Sequence, residues 1–239
     1  MSLPAALATL RRARWIDLTH AFEPGIPHFA AFPDEERTVV TDLATDGYLT
    51  HRYALPGQWG THVDPPSHFV SGGASLDELP VEQMLLELVV LDARAHVDAD
   101  PRYAADAALV AEHERAHGPV PSGSFVALRT GWSARWPDAE AMRNGDRSPG
   151  WGVDALEVLI EQRGVAAVGH EQTDTDPGAL VSQGQVPAEA YVLAQGRWQV
   201  ELLASLDGVP ARGAVILAAW PKPRGGSGFP ARCVAIVGG

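Results

Sequence analysis

Four side chains able to bind a metal ion fall within one short run: Gln58, His62, Asp64 and His68 in Gln58-Trp59-Gly60-Thr61-His62-Val63-Asp64-Pro65-Pro66-Ser67-His68. All four stand at even positions. Side chains of an extended chain alternate faces, so a strand here points Gln58, His62 and Asp64 to one side. Pro65 and Pro66 forbid a helix and hold the chain extended, which carries His68 forward beside the same cluster. Gly60 leaves room on that face for an ion or a substrate. Imidazole together with carboxylate suits zinc, manganese or iron(II). From spacing alone, a metal site and a pair of ordinary satisfied histidines both fit.

A second polar cluster is Gly169-His170-Glu171-Gln172-Thr173-Asp174-Thr175-Asp176-Pro177. It follows an apolar run of buried-strand type, where α/β proteins tend to place function. His170 is therefore a candidate general acid, substrate contact or neighbour of a metal site; the plainer alternative is a polar turn closing the strand. His96, His113 and His117 fall on helical segments and are expected at the surface. His20, His28 and His51 lie in or near strands at the expected mouth of the site. Tryptophans mostly fill cores, but Trp59 and Trp132 are candidate walls of an aromatic pocket. The single cysteine, Cys233, sits in an apolar run and reads as a small buried hydrophobe.

These residues need a scaffold, and frequent Gly and Pro divide the chain into short alternating strands and helices of an α/β or α+β protein. Strands are expected at 15–19, 38–43, 49–55, 88–91, 124–129, 165–168, 199–203, 214–219 and 234–237, with a turn at Asp46-Gly47. Helices are expected after Pro80, over 104–117 up to Gly118, over 153–163 up to Gly164, and from Pro187 to Ala194. Long loops at 135–149 and 221–230 are of a kind that often carries function. No linker interrupts the pattern, so one domain over residues 1–239 is expected.

Composition narrows the function classes. The 239 residues are 46% hydrophobic and 20% charged, with a mean hydropathy of −0.06, as in globular chains rather than disordered ones. No apolar run approaches the ~18 residues of a membrane span. Net charge is −12 and the pI about 5.1, against the basic patches of nucleic-acid binders. Arg11, Arg12 and Arg14 follow the apolar Leu3–Leu10 stretch, the reverse of a secretory signal. A cytoplasmic protein acting on a small molecule, with no nucleic-acid or membrane partner, is the expectation.

The first cluster resembles the signature His-x-Gly-Thr-His-x-Asp-x-Pro-x-His of the cyclase family, which includes bacterial kynurenine formamidases and isatin hydrolases. This chain has Gly-Thr-His-Val-Asp-Pro-Pro-Ser-His-Phe in that place. Trp15–Thr19 is similar to the family's opening strand and Leu128–Trp132 to its middle strand. Leu202–Pro210, with Leu206-Asp207, is similar to its Asn-Leu-Asp element, and Gly225–Arg232 to its closing loop. The resemblance implies an α/β fold of the swivelling β/β/α type, a homodimer or homotetramer, and one or two divalent ions, Mn2+ or Zn2+. It also implies hydrolysis of an amide or formamide bond in a small cyclic or N-formyl aromatic amide.

Carried onto matching positions, the resemblance makes His62 and Asp64 metal ligands, with Asp64 bridging if two ions bind. His68 becomes the proton shuttle, Glu201 a late carboxylate ligand, and Phe32 stands where formamidases place a substrate-packing tryptophan. The chain departs from the pattern twice. Gln58 replaces the first ligand histidine, and Glu189 replaces a histidine twelve residues before the late carboxylate. Both remain candidate oxygen ligands, and exchanging imidazole for oxygen shifts the preference toward manganese or magnesium; alternatively the second metal position is empty. The rival readings are a metal-poor homologue that binds a small molecule without turnover, and a metal-dependent lyase.

Overall fold

The computed structural model describes residues 2–238. Thirteen strands run in chain order: β1 (Arg14–Asp17), β2 (Glu36–Thr41), β3 (Thr50–Ala54), β4 (His62–Asp64), β5 (Leu85–Asp92), β6 (Ala104–Ala105), β7 (Phe125–Arg129), β8 (Gly150–Trp151), β9 (Ala167–His170), β10 (Trp198–Glu201), β11 (Ala214–Ala219), β12 (Phe229–Pro230) and β13 (Arg232–Val237). Nine of them form one mixed sheet in the order β1-β13-β11-β5-β7-β9-β10-β4-β12, while β2 pairs with β3 and β6 with β8.

The centre of the sheet, β5-β7-β9-β10, is parallel. Parallel neighbours need crossovers, and helices supply them: Arg94–Ala99 and Ala107–His117, then Ala139–Arg143 and Val153–Glu157, then Gly178–Val181 and Pro187–Ala194. These helices cover one face, burying Val89, Leu91, Val126, Leu128 and Val168 against Leu109, Leu156, Leu159 and Val192. The opposite face is covered by the sheet itself. β12 lies on one edge and β13 close to the other, yet only Ala231 separates them. Strands lie about 4.8 Å apart, so a flat sheet would hold these two strands far beyond the reach of one residue. The sheet therefore curls, and Phe125, Val200 and Val63 pack against Ile216, Ala218, Cys233 and Ala235 inside it. The result is a mixed α/β fold of the kind the resemblance implies.

Several local expectations shift. The hairpin between β2 and β3 turns through one helical turn, Leu43–Asp46, before Gly47 adopts φ 77°. The helix expected from Ala104 starts at Ala107, because Ala104-Ala105 pairs with Gly150-Trp151 and Asp106 caps the helix by accepting from Leu109 N–H at 3.0 Å. Residues 135–149 are not all loop: Asp138 accepts from Glu140 and Ala141 N–H and starts the helix Ala139–Arg143. The strand expected at 165–168 lies at 167–170, which builds His170 into the sheet. His113, expected at the surface, is buried beneath its helix. Among the described residues, no helix is long and apolar enough to cross a membrane.

Candidate metal centre

The centre is a product of strand register. β4 and β10 are antiparallel, with Glu201 opposite His62, Val200 opposite Val63 and Gln199 opposite Asp64. Opposed residues share a face and neighbours along a strand alternate. His62, Asp64, Gln199 and Glu201 therefore form one polar patch, while Val63 and Val200 enter the apolar interior behind it. His170 on β9 joins the patch from the next strand. A slip of one residue would exchange the polar and apolar sets.

His62 shows what the patch is made for. Its Nδ1 lies 2.8 Å from Gly60 O. A carbonyl only accepts, so Nδ1 carries the proton, and the other ring nitrogen faces carboxylates: Nε2 is 3.2 Å from Asp64 Oδ2 and 3.5 Å from Glu201 Oε2. One potential ligand atom from each of His62, Asp64 and Glu201 lies within 4.8 Å of the others, and all three residues are buried. His62 Nε2 and Asp64 Oδ2 have no hydrogen-bond partner. Three acceptors that converge in a buried space require a positive charge between them. The residues fit a divalent cation. Without one, a proton must serve: burial lowers the His62 pKa, but the opposing pull of Asp64 and Glu201 prevails and drives it up to about 9. Burial, with mutual repulsion among the acids, also holds the Glu189 and Glu201 carboxyls well above the ordinary carboxylate range.

Gln58 takes another position. Its Nε2 donates to Asp64 Oδ1 at 3.1 Å and to Ser227 O at 2.9 Å. Two acceptors fix the amide with its nitrogen toward the cluster, so Gln58 grips one Asp64 oxygen instead of offering its own. The closing loop keeps it there, since a Cβ at Gly228 would collide with the Gln58 amide and with Asp64.

His68 and Glu189 meet across the patch, Nε2 to Oε1 3.8 Å. Glu189 lies outside the convergent group and accepts from Gln199 Nε2 at 3.1 Å. It is set by Asp176, whose carboxylate accepts from Ala188 N–H at 2.7 Å and Glu189 N–H at 3.0 Å at the start of helix Pro187–Ala194. Burial lowers the His68 pKa and keeps the ring a neutral base. His170 is fully buried, and desolvation lowers its pKa to about 4. Its Nε2 lies 3.0 Å from Thr175 Oγ1 and 3.4 Å from Glu201 Oε1. Thr175 Oγ1 in turn stands 3.0 Å from Glu201 Oε1. His170 thus stands behind Glu201, outside the cavity lining, which among the three expected places is that of a neighbour of the metal site.

A cavity of about 260 Å³ opens in front of the patch. His62, His68, Glu189 and Glu201 line one side, and Phe29, Phe32 and Phe69 line the apolar side. Phe32 is where the resemblance places it. Trp59 and Trp132 are not in the lining. Trp59 is fully buried, donates to Glu35 at 3.2 Å and backs His28 at a ring distance of 4.6 Å. Trp132 donates to Met142 O at 2.7 Å in the helical core. Of the three histidines expected at the mouth only His28 lines this cavity; His20 stacks on Trp136 at 4.2 Å and His51 lies exposed on β3. Sequence reasoning missed Phe29 and Phe69 in the lining, and the part that Asp176 and Thr175 play behind it. Both polar residues were within the 169–177 cluster, but nothing local tied them to Glu189 and Glu201.

Comparison with known proteins agrees with this geometry. A model of the Cyclase family, described as "Putative cyclase", matches residues 16–177. The chain is 29% identical over 240 residues to the isatin hydrolase of Roseibium aggregatum, covering 93% of this chain and 91% of that protein. Isatin hydrolase A from Labrenzia aggregata, bound to benzyl benzoate, superposes with a TM-score of 0.92 at 30% identity over 100% of both chains. An isatin hydrolase bound to the product analogue thioisatinate gives 0.93 at 28% identity, again over 100% of both chains. Isatin hydrolase A from Ralstonia solanacearum gives 0.91 at 32% identity, covering 99% of this chain and 97% of that one. With the His62, Asp64 and Glu201 group at the centre of this shared fold, the chain belongs to the cyclase family and is a metal-dependent hydrolase of that family.

Proposed function

We propose that the protein hydrolyses the amide C–N bond of a small cyclic or N-formyl aromatic amide, isatin-like or N-formylkynurenine-like. The observation that carries the reading is the convergence of unpartnered His62 and Asp64 atoms with Glu201 at the wall of an aromatic-lined cavity. His62, Asp64 and Glu201 would hold the ion. A divalent cation there, when bound, acidifies water and polarises a carbonyl. Two carboxylates with a single imidazole favour manganese over zinc, and the hydrogen-bonded Glu189 favours one ion over two.

The neutral His68 ring faces the cavity beside Glu189. It takes a proton from the attacking water and returns it to the leaving nitrogen, so that the C–N bond breaks to a carboxylate and an amine. Phe29, Phe32 and Phe69 pack against a flat ring and exclude bulk water. A cytoplasmic setting and a homodimer or homotetramer complete the proposal, on the family resemblance.

The test is reconstitution. Chelator-stripped protein is reloaded with manganese or zinc and offered isatin, N-formylkynurenine and small lactams. Turnover appears only with metal and only for an amide of this class. His68→Ala lowers turnover at least ~100-fold with metal content unchanged, and turnover that survives this change rejects the shuttle.

A further inference from the structure

The cavity before the metal centre has a neighbour. A second cavity of about 230 Å³ shares the wall of Phe29, Thr173 and Asp174 and extends to Arg143 and to the hydroxyl-bearing residues Ser148 and Ser182. The two differ in their charged groups. Asp174 lines both, whereas Glu189 and Glu201 line only the first. Arg143 is the only arginine or lysine lining either one. Among the described residues, it enters none of the ion pairs that occupy Arg37, Arg94, Arg102, Arg129, Arg163, Arg212 and Arg232. Its backbone is set by a short helix, which Asp138 starts and Asn144, at φ 47°, ends directly after Arg143.

Hydrolysis of a neutral amide changes the charge of what the first cavity holds. Water adds across the C–N bond, the acyl carbon leaves as a carboxylate and the nitrogen as an amine. The anion is formed in a cavity whose lining offers it no arginine or lysine.

We propose that the second cavity is a carboxylate subsite, in which Arg143 receives the acid group of the product and draws it out of the first cavity past the shared Asp174. This rests on the amide-hydrolase reading above. The planar guanidinium pairs a carboxylate through two parallel hydrogen bonds, and its place in the neighbouring cavity, outside the lining of the metal centre, suits release better than chemistry. An arginine here leaves a neutral substrate almost unaffected.

The probe is thioisatinate, with binding measured by calorimetry on the metal-loaded protein and on its Arg143→Ala and Arg143→Lys variants. Arg143 is exposed, so neither change endangers the fold. Arg143→Ala weakens thioisatinate about fivefold at low ionic strength, while Arg143→Lys retains part of the affinity. The difference disappears near ~1 M salt, where charges are screened within about 3 Å. KM for neutral isatin moves by less than about twofold. Equal thioisatinate affinity in Arg143→Ala, or a parallel loss for isatin, overturns the subsite. Binding is read without turnover, so absence of isatin hydrolysis in the parent protein would reject the functional reading and leave an Arg143-dependent carboxylate site in evidence.

Discussion

A single hydrogen bond decides how His62 works. With Nδ1–H committed to Gly60 O, Nε2 has nowhere to turn except toward Asp64 and Glu201. The same logic applies to Gln58, whose amide nitrogen occupies Asp64 Oδ1 and leaves Oδ2 free for the centre. A ligand whose second oxygen is fixed keeps its orientation, and such supports are worth about 10- to 100-fold in metal affinity. Gln58→Leu therefore weakens manganese and zinc binding by roughly that factor, measured by competition against a chelator. Affinity equal to the parent's would remove Gln58 from the support of Asp64.

At the scale of elements, short pieces carry the site. β4 has only three residues, yet its register with β10 alone puts His62 and Asp64 beside Glu201. Helix Pro187–Ala194 brings Glu189, and its opening residue Val186 provides no side-chain cap. Asp176 supplies that cap from a loop ten or more positions upstream, by accepting from Ala188 and Glu189 N–H. Asp176→Ala should cost about 1–2 kcal/mol, the usual range for a lost cap, and should free Glu189 to move. Urea denaturation measures the first effect; a midpoint unchanged from the parent's would show that Asp176 does not anchor the helix. The turn at Thr130-Gly131 is tied to the same loop, because Glu171 accepts from both N–H groups at 2.6 and 2.7 Å.

The whole molecule adds an acid sensitivity. His113 is buried with an unpartnered Nε2, and desolvation, aided by nearby His117 and Arg212, lowers its pKa to about 4 from 6.5. Between those values the unfolded chain binds a proton that the folded chain refuses, so the contribution of His113 to stability is full above pH ~6.5 and is lost as pH drops toward ~4. His20, lowered to about 4 by burial, acts in the same direction. In metal-free protein held in chelator, the Tm of His113→Leu relative to the parent's should rise as pH drops across this window. A slope identical in the variant would assign the effect elsewhere. Chelator is needed because acid also releases a bound ion by protonating its ligands.

Parity made His62 and Asp64 legible from the chain alone and the family likeness added His68, although the expected extended path to His68 is instead a 3-10 turn, Pro66–His68, that Pro66 opens; the apolar runs made most of the parallel strands legible too. These features are local: alternation along a strand and the fixed φ of proline need no distant partner. Glu201 came only through the likeness, since its place beside His62 depends on pairing strands far apart in sequence. The aromatic wall was misjudged for a related reason. Trp59 and Trp132 flank the motifs, but Trp59 is buried against Glu35 and Trp132 packs in the helical core, and Phe29 and Phe69 line the cavity instead. His170 gained a place in the sheet and lost its route to the cavity. The sequence by itself determined which donors lie on one face of one short strand. Tertiary structure decided which atoms of that face remain free, because only the closing loop, the neighbouring strand and the curl of the sheet settle which donors are already hydrogen-bonded and which are buried without a partner.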